Sequence, residues 1–169
     1  MFEKFNTELL YKINNFLYAL GYFSEFIMII FVCWIIYNNS INLLFYIIGI
    51  NISWILNKLL KPLIKDKRPN DPIKFLNSEH FVKTSNAYGM PSGHSQNVFF
   101  SVTYLYLTTK QLYWTFIGLI IGILTIFERW YFHNHTIRQL IVGAILGCIL
   151  AYLMVLVKDK TIFFLKNTK

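Results

Sequence analysis

The few charged residues of this chain fall in clusters, and long charge-free runs separate the clusters. No Asp, Glu, Lys or Arg occurs in residues 26–57, 84–109, 111–127 or 139–157. A helix needs about 20 apolar residues to cross the hydrocarbon core of a bilayer. Each run is long enough for most or all of one crossing, and the polar patch Asn38-Asn39-Ser40 divides the first run into two. This pattern predicts several membrane-spanning helices.

The composition excludes the main alternatives. Of the 169 residues, 56% are hydrophobic and only 14% are charged, whereas soluble domains carry about 25% charged residues. A chain so apolar is not disordered, and two cysteines cannot supply a disulfide framework. Cys33 and Cys148 lie inside predicted spans, where we expect them to serve packing only.

We therefore predict an all-α integral membrane bundle of about five transmembrane helices. The spans are expected near residues 17–37, 41–60, 93–109, 112–127 and 137–157. Residues 1–15 mix charged and apolar side chains at roughly helical spacing, which predicts an N-terminal interfacial helix. A cleaved secretory signal would be shorter and less aromatic than the first predicted span. Residues 1–169 are expected to form one domain.

The net charge of +8 indicates an anionic partner. No basic run stands beside an aromatic platform in a soluble domain, so nucleic acid is not the expected partner. Anionic membrane lipid or a phosphorylated lipid substrate explains the charge better.

Residues suited to binding phosphate occur in three clusters, each at the end of a predicted helix. They are Lys61 and Arg68 after the second span, Ser92, Gly93 and His94 at the start of the third, and Arg129, His135 and Gln139 between the fourth and fifth. With five spans, these three helix ends open on the same side of the membrane. The turns on the opposite side are short and hold no such chemistry. The pattern therefore predicts one site assembled from all three clusters.

Each cluster offers a physical means of handling a phosphoryl group. The planar guanidinium of Arg68 can hold two phosphate oxygens. Ser92 and Gly93 precede a helix, where free backbone amides and the helix dipole favour an anion. His135 and Gln139 are four residues apart on one helix face, so the Gln139 carbonyl can fix one ring nitrogen of His135 and leave the other free to attack.

Taken together, the clusters resemble the three motifs of the type 2 phosphatidic acid phosphatase superfamily. The first motif, Lys, six residues, Arg-Pro, is matched by Lys61, Arg68 and Pro69. The second, Pro-Ser-Gly-His, is matched in full by residues 91–94. The third, Ser-Arg, five residues, His, three residues, Asp, is matched by Arg129 and His135.

Two positions depart from the general third motif, and one of them is informative. Glu128 stands in place of the Ser, and Gln139 stands in place of the Asp. Gln139, Thr136 and the run 89–96 look like the dolichyl-diphosphatase branch of the superfamily. That branch removes phosphate from polyprenyl diphosphates on the lumenal side of the endoplasmic reticulum.

The resemblance implies a role for each matched residue. His135 would be the nucleophile that forms a phosphohistidine, Gln139 would orient it, and His94 would protonate the leaving oxygen. The phosphoryl oxygens would be held by Lys61, Arg68, Ser92, Gly93 and Arg129. The family needs no metal and no other cofactor, so none is expected here.

Several residues have two interpretations at this stage. His133 is an alternative nucleophile, although two residues from His135 it would point elsewhere. Lys65 and Lys67 either bind a second phosphate or anchor the chain at lipid headgroups. Glu25 is costly inside the first span unless it is paired, with Lys58 as a conceivable partner, or unless the span begins later.

The connection from residue 66 to residue 90 is the one long loop. Its apolar residues Phe75, Leu76, Phe81 and Val82 either form a lid or lie in an ordinary solvated loop. His80 is expected to be an ordinary loop residue.

The lysines on the C-terminal side, at 110, 158, 160, 166 and 169, favour a cytoplasmic C-terminus and an active site facing the lumen or the outside. The expected membrane is the endoplasmic reticulum in a eukaryotic or viral context and the cytoplasmic membrane in a bacterial one. Phosphatidic acid, undecaprenyl diphosphate or another lipid phosphate is an alternative substrate. A non-catalytic phospholipid-binding membrane protein is an alternative function.

Overall fold

The chain folds into five α-helices, as seen in a computed structural model. The structure describes residues 2–70 and 88–167, with side chains from Tyr11 onwards. The helices are α1 (Phe2–Ile36), α2 (Ser40–Ile64), α3 (Gly93–Thr109), α4 (Leu112–Tyr131) and α5 (Ile137–Asn167). The described residues form no β-strand, only an isolated bridge between Lys67 and Tyr88. The predicted all-α class and the positions of the five helices are confirmed.

The helices surround α3, which packs against each of the other four. Residues 11–36 of α1 and the whole of α2, α4 and α5 are long and apolar enough to cross a membrane. The central helix is different, because it has 17 residues and buries polar side chains such as Ser95, Gln96 and Asn97. A polar helix can lie at the centre of a membrane bundle only if its neighbours satisfy its hydrogen bonds.

Two helix boundaries differ from the expected ones. We expected an interfacial helix separate from the first span, but α1 continues unbroken from Phe2 to Ile36. Residues 2–20 contain no Gly or Pro, so no residue interrupts the helical hydrogen bonds. At the other terminus, α5 extends past residue 157 because Lys158 Nζ bonds Asn42 Oδ1 of α2 at 3.0 Å and lies 3.3 Å from Asp159.

The contact between α3 and α5 is a backbone approach permitted by two glycines. A Cβ atom on Gly143 would lie 2.6 Å from the carbonyl oxygen of Ser92, and one on Gly147 would lie 2.8 Å from the backbone nitrogen of Phe100. Small residues allow this kind of close approach between membrane helices. The approach brings the beginning of α5, with Gln139, against the beginning of α3, with Ser92.

We predict that Gly147→Ala lowers the free energy of unfolding by about 1–3 kcal/mol, because the new methyl group meets rigid backbone. Gly118→Ala on α4 is the matched control, since its Cβ would meet only the side-chain ends of Met28 and Val102 at 3.3 Å. Thermal unfolding in detergent measures both variants. Equal midpoints for the two variants would contradict the proposed close packing.

Candidate active site

The three sequence clusters meet at a pocket of about 220 Å³ at one end of the bundle. Five predicted residues line it: Lys61, Arg68, Gly93, His94 and His135. Residues that the motifs did not indicate line it as well, namely Glu25, Trp54, Asn57, Lys58 and Asn97. The predicted convergence of the clusters is therefore what the fold produces, and α1 contributes an unexpected wall.

His135 is buried just before α5, and both of its ring nitrogens have partners. Nδ1 lies 3.1 Å from Gln139 Oε1, which can only accept, so Nδ1 carries the proton. Nε2 lies 3.3 Å from Arg68 Nη1, which can only donate. These contacts select the tautomer in which Nε2 carries a lone pair, which accepts from Arg68 at the edge of the pocket. This is the state that a histidine nucleophile requires.

The Gln139 side chain is held at both ends of its amide. Its oxygen accepts from His135 and from the backbone N–H of Thr136 at 3.2 Å. Its nitrogen donates to Asp66 Oδ2 and to the carbonyl oxygen of Lys67, both at 2.8 Å. A Cβ on Gly89 would overlap this amide, so the glycine before the second motif gives Gln139 its space.

Arg68 and Arg129 supply positive charge that the surrounding protein offsets only in part. Arg68 Nη1 donates to the carbonyl oxygen of Asn134 at 3.0 Å. Arg129 Nε lies 2.7 Å from Glu128 Oε2, and the guanidinium stands 5.7 Å from the ring centroid of Tyr22. Glu128, at the position where the family motif has Ser, is thus the ion-pair partner of Arg129.

Apart from the atoms of the Glu128–Arg129 ion pair, three buried polar atoms near this cluster make no hydrogen bond within the described residues. They are Arg129 Nη2, Ser92 Oγ and Asn134 Nδ2. Ser92 precedes α3, whose first-turn amides also lack helical acceptors. Buried polar groups in proteins are nearly always paired, so unpaired donors beside cations indicate a place for an anion.

Electrostatics at His135 follow from this arrangement. Burial lowers the pKa of His135 well below its ordinary value, and the charges of Arg68 and Arg129 lower it further. Burial and the charge of Arg129 also lower the pKa of Arg68. His135 is therefore neutral at physiological pH, and the pocket attracts negative charge.

Helix α1 positions His94, the histidine of the second motif. Nε2 of His94 lies 3.2 Å from the carbonyl oxygen of Tyr22, so Nε2 is the protonated nitrogen. The contact was not indicated by the motifs, because Tyr22 and His94 lie 72 residues apart. Nδ1 is left for a group in the pocket.

Glu25, one turn after Tyr22, anchors a buried hydrogen-bond network. Its Oε1 accepts from Trp54 Nε1 and from Asn97 Nδ2, the latter at 2.8 Å. Asn97 Oδ1 in turn accepts from Ser53 Oγ. These bonds join α1, α2 and α3, and they show that the partners of Glu25 are Trp54 and Asn97 rather than Lys58. Because Glu25 is buried within α1, a later helix start does not explain it either.

The network continues to the second motif. Gln96 Nε2 donates to Ser53 Oγ at 2.9 Å, and Gln96 Oε1 accepts from Asn57 Nδ2 at 2.8 Å. Asn57 Nδ2 also lies 3.2 Å from the carbonyl oxygen of Pro91. The buried polar residues of α3 are thereby satisfied, and the chain entering α3 is fixed against α2.

Other candidates lie apart from the pocket or outside the described residues. His133 is exposed, with a left-handed backbone (φ 55°), so the structure does not bring this alternative nucleophile to the pocket. The side chains of Lys65 and Lys67 are exposed. His80 and the proposed lid residues Phe75, Leu76, Phe81 and Val82 lie outside the described residues. Within residues 2–70 and 88–167, no three His, Cys, Asp or Glu side chains converge as metal ligands would.

The comparisons with known proteins agree with the motifs. The model of the PAP2 superfamily matches residues 40–163, so the chain belongs to the PAP2 superfamily. Dolichyldiphosphatase of Saccharomyces cerevisiae is 30% identical over 158 residues, covering 85% of this chain and 65% of that protein. Dolichyldiphosphatase 1 of Homo sapiens is 29% identical over 142 residues, covering 75% and 57%.

Two further similarities extend the comparison. Lipid phosphate phosphatase gamma of Arabidopsis thaliana is 26% identical over 152 residues, covering 76% of this chain and 62% of that protein. The crystal structure of a transmembrane PAP2 type phosphatidylglycerolphosphate phosphatase from Bacillus subtilis shares the fold, with a TM-score of 0.66. It is 20% identical, and the alignment covers 90% of this chain and 78% of that one. The chain spans somewhat less than two thirds of the length of the curated relatives it matches.

We predict that Glu25→Leu destabilises the protein, because it leaves two buried donors, on Trp54 and Asn97, without their acceptor. Each unpaired buried donor costs about 1–3 kcal/mol. Glu25→Gln keeps an oxygen at the position of Oε1 and should unfold close to wild type in a thermal melt in detergent. Tyr46→Phe is the control for the loss of a single buried hydrogen bond, since it removes the bond between Tyr46 and Ser101. A Leu variant as stable as the Gln variant would show that the network does not depend on Glu25.

A second prediction concerns pH and His135. In the unfolded chain, His135 has its ordinary pKa of 6.5, whereas in the folded protein its pKa is lower. Stability should therefore fall as pH drops from 6.5 toward the folded-state pKa, because the unfolded state binds more protons. The melting midpoint of wild type should fall further between pH 7.5 and pH 5 than that of His135→Gln. Equal falls would contradict a neutral, buried His135.

Proposed function

We propose that this protein is a membrane lipid phosphatase that hydrolyses a polyprenyl diphosphate resembling dolichyl diphosphate to the monophosphate and inorganic phosphate. The observation that carries the proposal is the geometry of His135. Its Nδ1 proton is held by Gln139, and its unprotonated Nε2 accepts from Arg68, a hydrogen bond that an incoming phosphoryl group would replace by binding Arg68 itself. The names of two of the relatives support the substrate class.

In the first step, Nε2 of His135 attacks the terminal phosphorus. A bond forms between Nε2 and phosphorus, and the bond from phosphorus to the bridging oxygen breaks. The Nδ1 proton stays on the ring, so the phosphorylated imidazole carries positive charge, which the oxygen of Gln139 stabilises. Because burial and nearby cations keep His135 neutral, its lone pair is available without prior loss of a proton.

His94 serves the leaving group. His94 is neutral, with Nε2–H bonded to the Tyr22 carbonyl, until the anionic diphosphate binds beside it and favours uptake of a proton from solvent at Nδ1. His94 then donates that Nδ1 proton to the bridging oxygen, and the lipid monophosphate departs. In the second step, water attacks the phosphorus, the phosphorus–nitrogen bond breaks, and His94 takes the proton from the water. Inorganic phosphate leaves, and both histidines return to their starting states.

The cations and donors around the pocket bind the oxygens of the transferred group. Lys61, Arg68 and Gly93 line the pocket. Gly93 begins α3, and a Cβ atom at this position would lie 3.2 Å from Asn57 Oδ1. Arg129 Nη2 and Ser92 Oγ have no competing hydrogen bond within the described residues. Charge spread over the phosphoryl oxygens in the transition state is stabilised by such preorganised donors.

A diphosphate suits this pocket better than a neutral headgroup, because positive charge continues beyond it. Lys58 lines the pocket, and exposed Lys65 and Lys67 lie in the chain segment between Lys61 and Arg68, which line it too. In this proposal, these lysines hold the second phosphate. The lysines of the C-terminal side, including Lys110 and Lys160, support a cytoplasmic C-terminus and a pocket facing the lumen or the outside.

Phosphate release tests the proposal. Purified wild-type protein should release inorganic phosphate from dolichyl diphosphate in the presence of a chelator, and His135→Ala should lose at least about 1000-fold of this activity because it lacks the nucleophile. Phosphatidic acid and undecaprenyl diphosphate are assayed in parallel to define the substrate. His133→Ala is the matched control and should keep the activity of wild type.

Activity that persists in His135→Ala would exclude the phosphohistidine route. Faster hydrolysis of phosphatidic acid than of either diphosphate would move the substrate to monoester lipids. Failure to release phosphate from every lipid, together with binding to phospholipid vesicles, would favour a non-catalytic role.

A further inference from the structure

The position at which the family motif places a carboxylate holds Gln139 in this chain, yet a carboxylate lies directly behind it. Asp66 Oδ2 accepts from Gln139 Nε2 at 2.8 Å, and Gln139 Oε1 accepts from His135 Nδ1 at 3.1 Å. Asp66, Gln139 and His135 therefore form a continuous chain of hydrogen bonds from a carboxylate to the imidazole. Asp66 belongs to the first cluster, 73 residues from Gln139.

An amide transmits the effect of a charge through its own polarisation. When a carboxylate accepts from the nitrogen of an amide, electron density shifts toward the amide oxygen, which becomes a better acceptor. The oxygen of Gln139 then stabilises a positively charged imidazole more than an isolated amide does. This matters in a pocket where the two arginines work against such a charge on His135.

We propose that Asp66 is a positioning residue for His135, which acts through Gln139 to hold the imidazole and to stabilise the positive charge that it acquires during attack. The inference rests on the proposed role of His135 as nucleophile. Asp66 thus supplies, through Gln139, the negative charge that the aspartate of the general third motif would supply directly.

The geometry distinguishes this role from that of a surface ion pair. Asp66 also pairs with Arg138 at 2.9 Å, but the Arg138 side chain is 73% exposed, so that pair contributes little. The side of Asp66 that faces Gln139 is different, because Gln139 is fully buried. The backbone of Asp66 is fixed separately, since its carbonyl accepts from Gly89 N at 2.7 Å.

The first test removes the charge and keeps the hydrogen bond. In Asp66→Asn, the new amide oxygen can still accept from Gln139, so a purely structural role predicts little change. We expect kcat to fall roughly 10- to 100-fold with little change in KM, as for other residues that orient a functional imidazole through its second nitrogen. Arg138→Gln, which removes the exposed partner of Asp66, is the control and should stay within about twofold of wild type.

The second test relocates the charge. Gln139→Glu places a carboxylate against Asp66, and the two like charges should inactivate the enzyme more than Asp66→Asn does. Adding Asp66→Asn to Gln139→Glu lets the new Asn donate to the new Glu, so the double variant should be more active than Gln139→Glu alone. If the two losses instead multiply, the residues act independently and the proposal fails.

A third measurement needs no turnover. Diethyl pyrocarbonate modifies neutral imidazoles, and mass spectrometry of His135 across a pH series gives the midpoint of its protonation. His135 is also influenced by Arg68, Arg129, Lys61 and His94, all of which are unchanged in Asp66→Asn. The midpoint should move to lower pH in Asp66→Asn and stay in place in Arg138→Gln.

The outcomes separate the two proposals. If wild type releases no phosphate from any lipid, the proposed function fails, and the midpoint shift still tests Asp66. If wild type is active and Asp66→Asn matches Arg138→Gln in both kcat and midpoint, Asp66 is not a positioning residue. The His135→Ala variant then decides separately whether His135 carries the reaction.

Discussion

The structure depends on the requirement that a polar helix at the centre of a membrane bundle must find all its hydrogen-bond partners in the protein. Helix α3 is that helix, and its buried side chains Gln96 and Asn97 are satisfied by α1 and α2 through Glu25, Ser53 and Asn57. The same bonds fix the chain that enters α3. The interaction that lets α3 exist in an apolar bundle therefore also sets the geometry of the segment that we propose binds phosphate.

On its opposite side, α3 is held mainly by close backbone packing against α5. Gly143 and Gly147 bring α5 against the backbone of α3, and Ser92 N donates to the carbonyl oxygen of Gln139 at 3.1 Å. The second and third motifs are thus joined directly, and Asp66 joins the first motif to the third. A rigid arrangement of this kind suits a reaction whose catalysis consists mainly of positioning and charge stabilisation.

Much of this could be predicted from the sequence, and the remainder has a common physical cause. Charge-free runs located the helices, and three helix ends on one face located the pocket, because both signals are local or follow from counting crossings. Glu25, Asp66 and Tyr22 could not be placed in the same way. Their partners lie between 29 and 73 residues away and are decided by side-chain packing between helices. The continuity of α1 was missed for a different reason, since a change from mixed to apolar composition does not interrupt a helix whose residues 2–20 include no Gly or Pro.

The Glu25 network also has a consequence for biosynthesis. Glu25 enters the membrane with the first helix, whereas Trp54 is made 29 residues later and Asn97 72 residues later. During that interval the carboxylate has neither partner, and the hydropathy of the rest of α1 must carry it into the bilayer. Helix α1 is therefore made before α3 but takes its final position only after α3 has been made, so the candidate site is completed in an order different from that of synthesis.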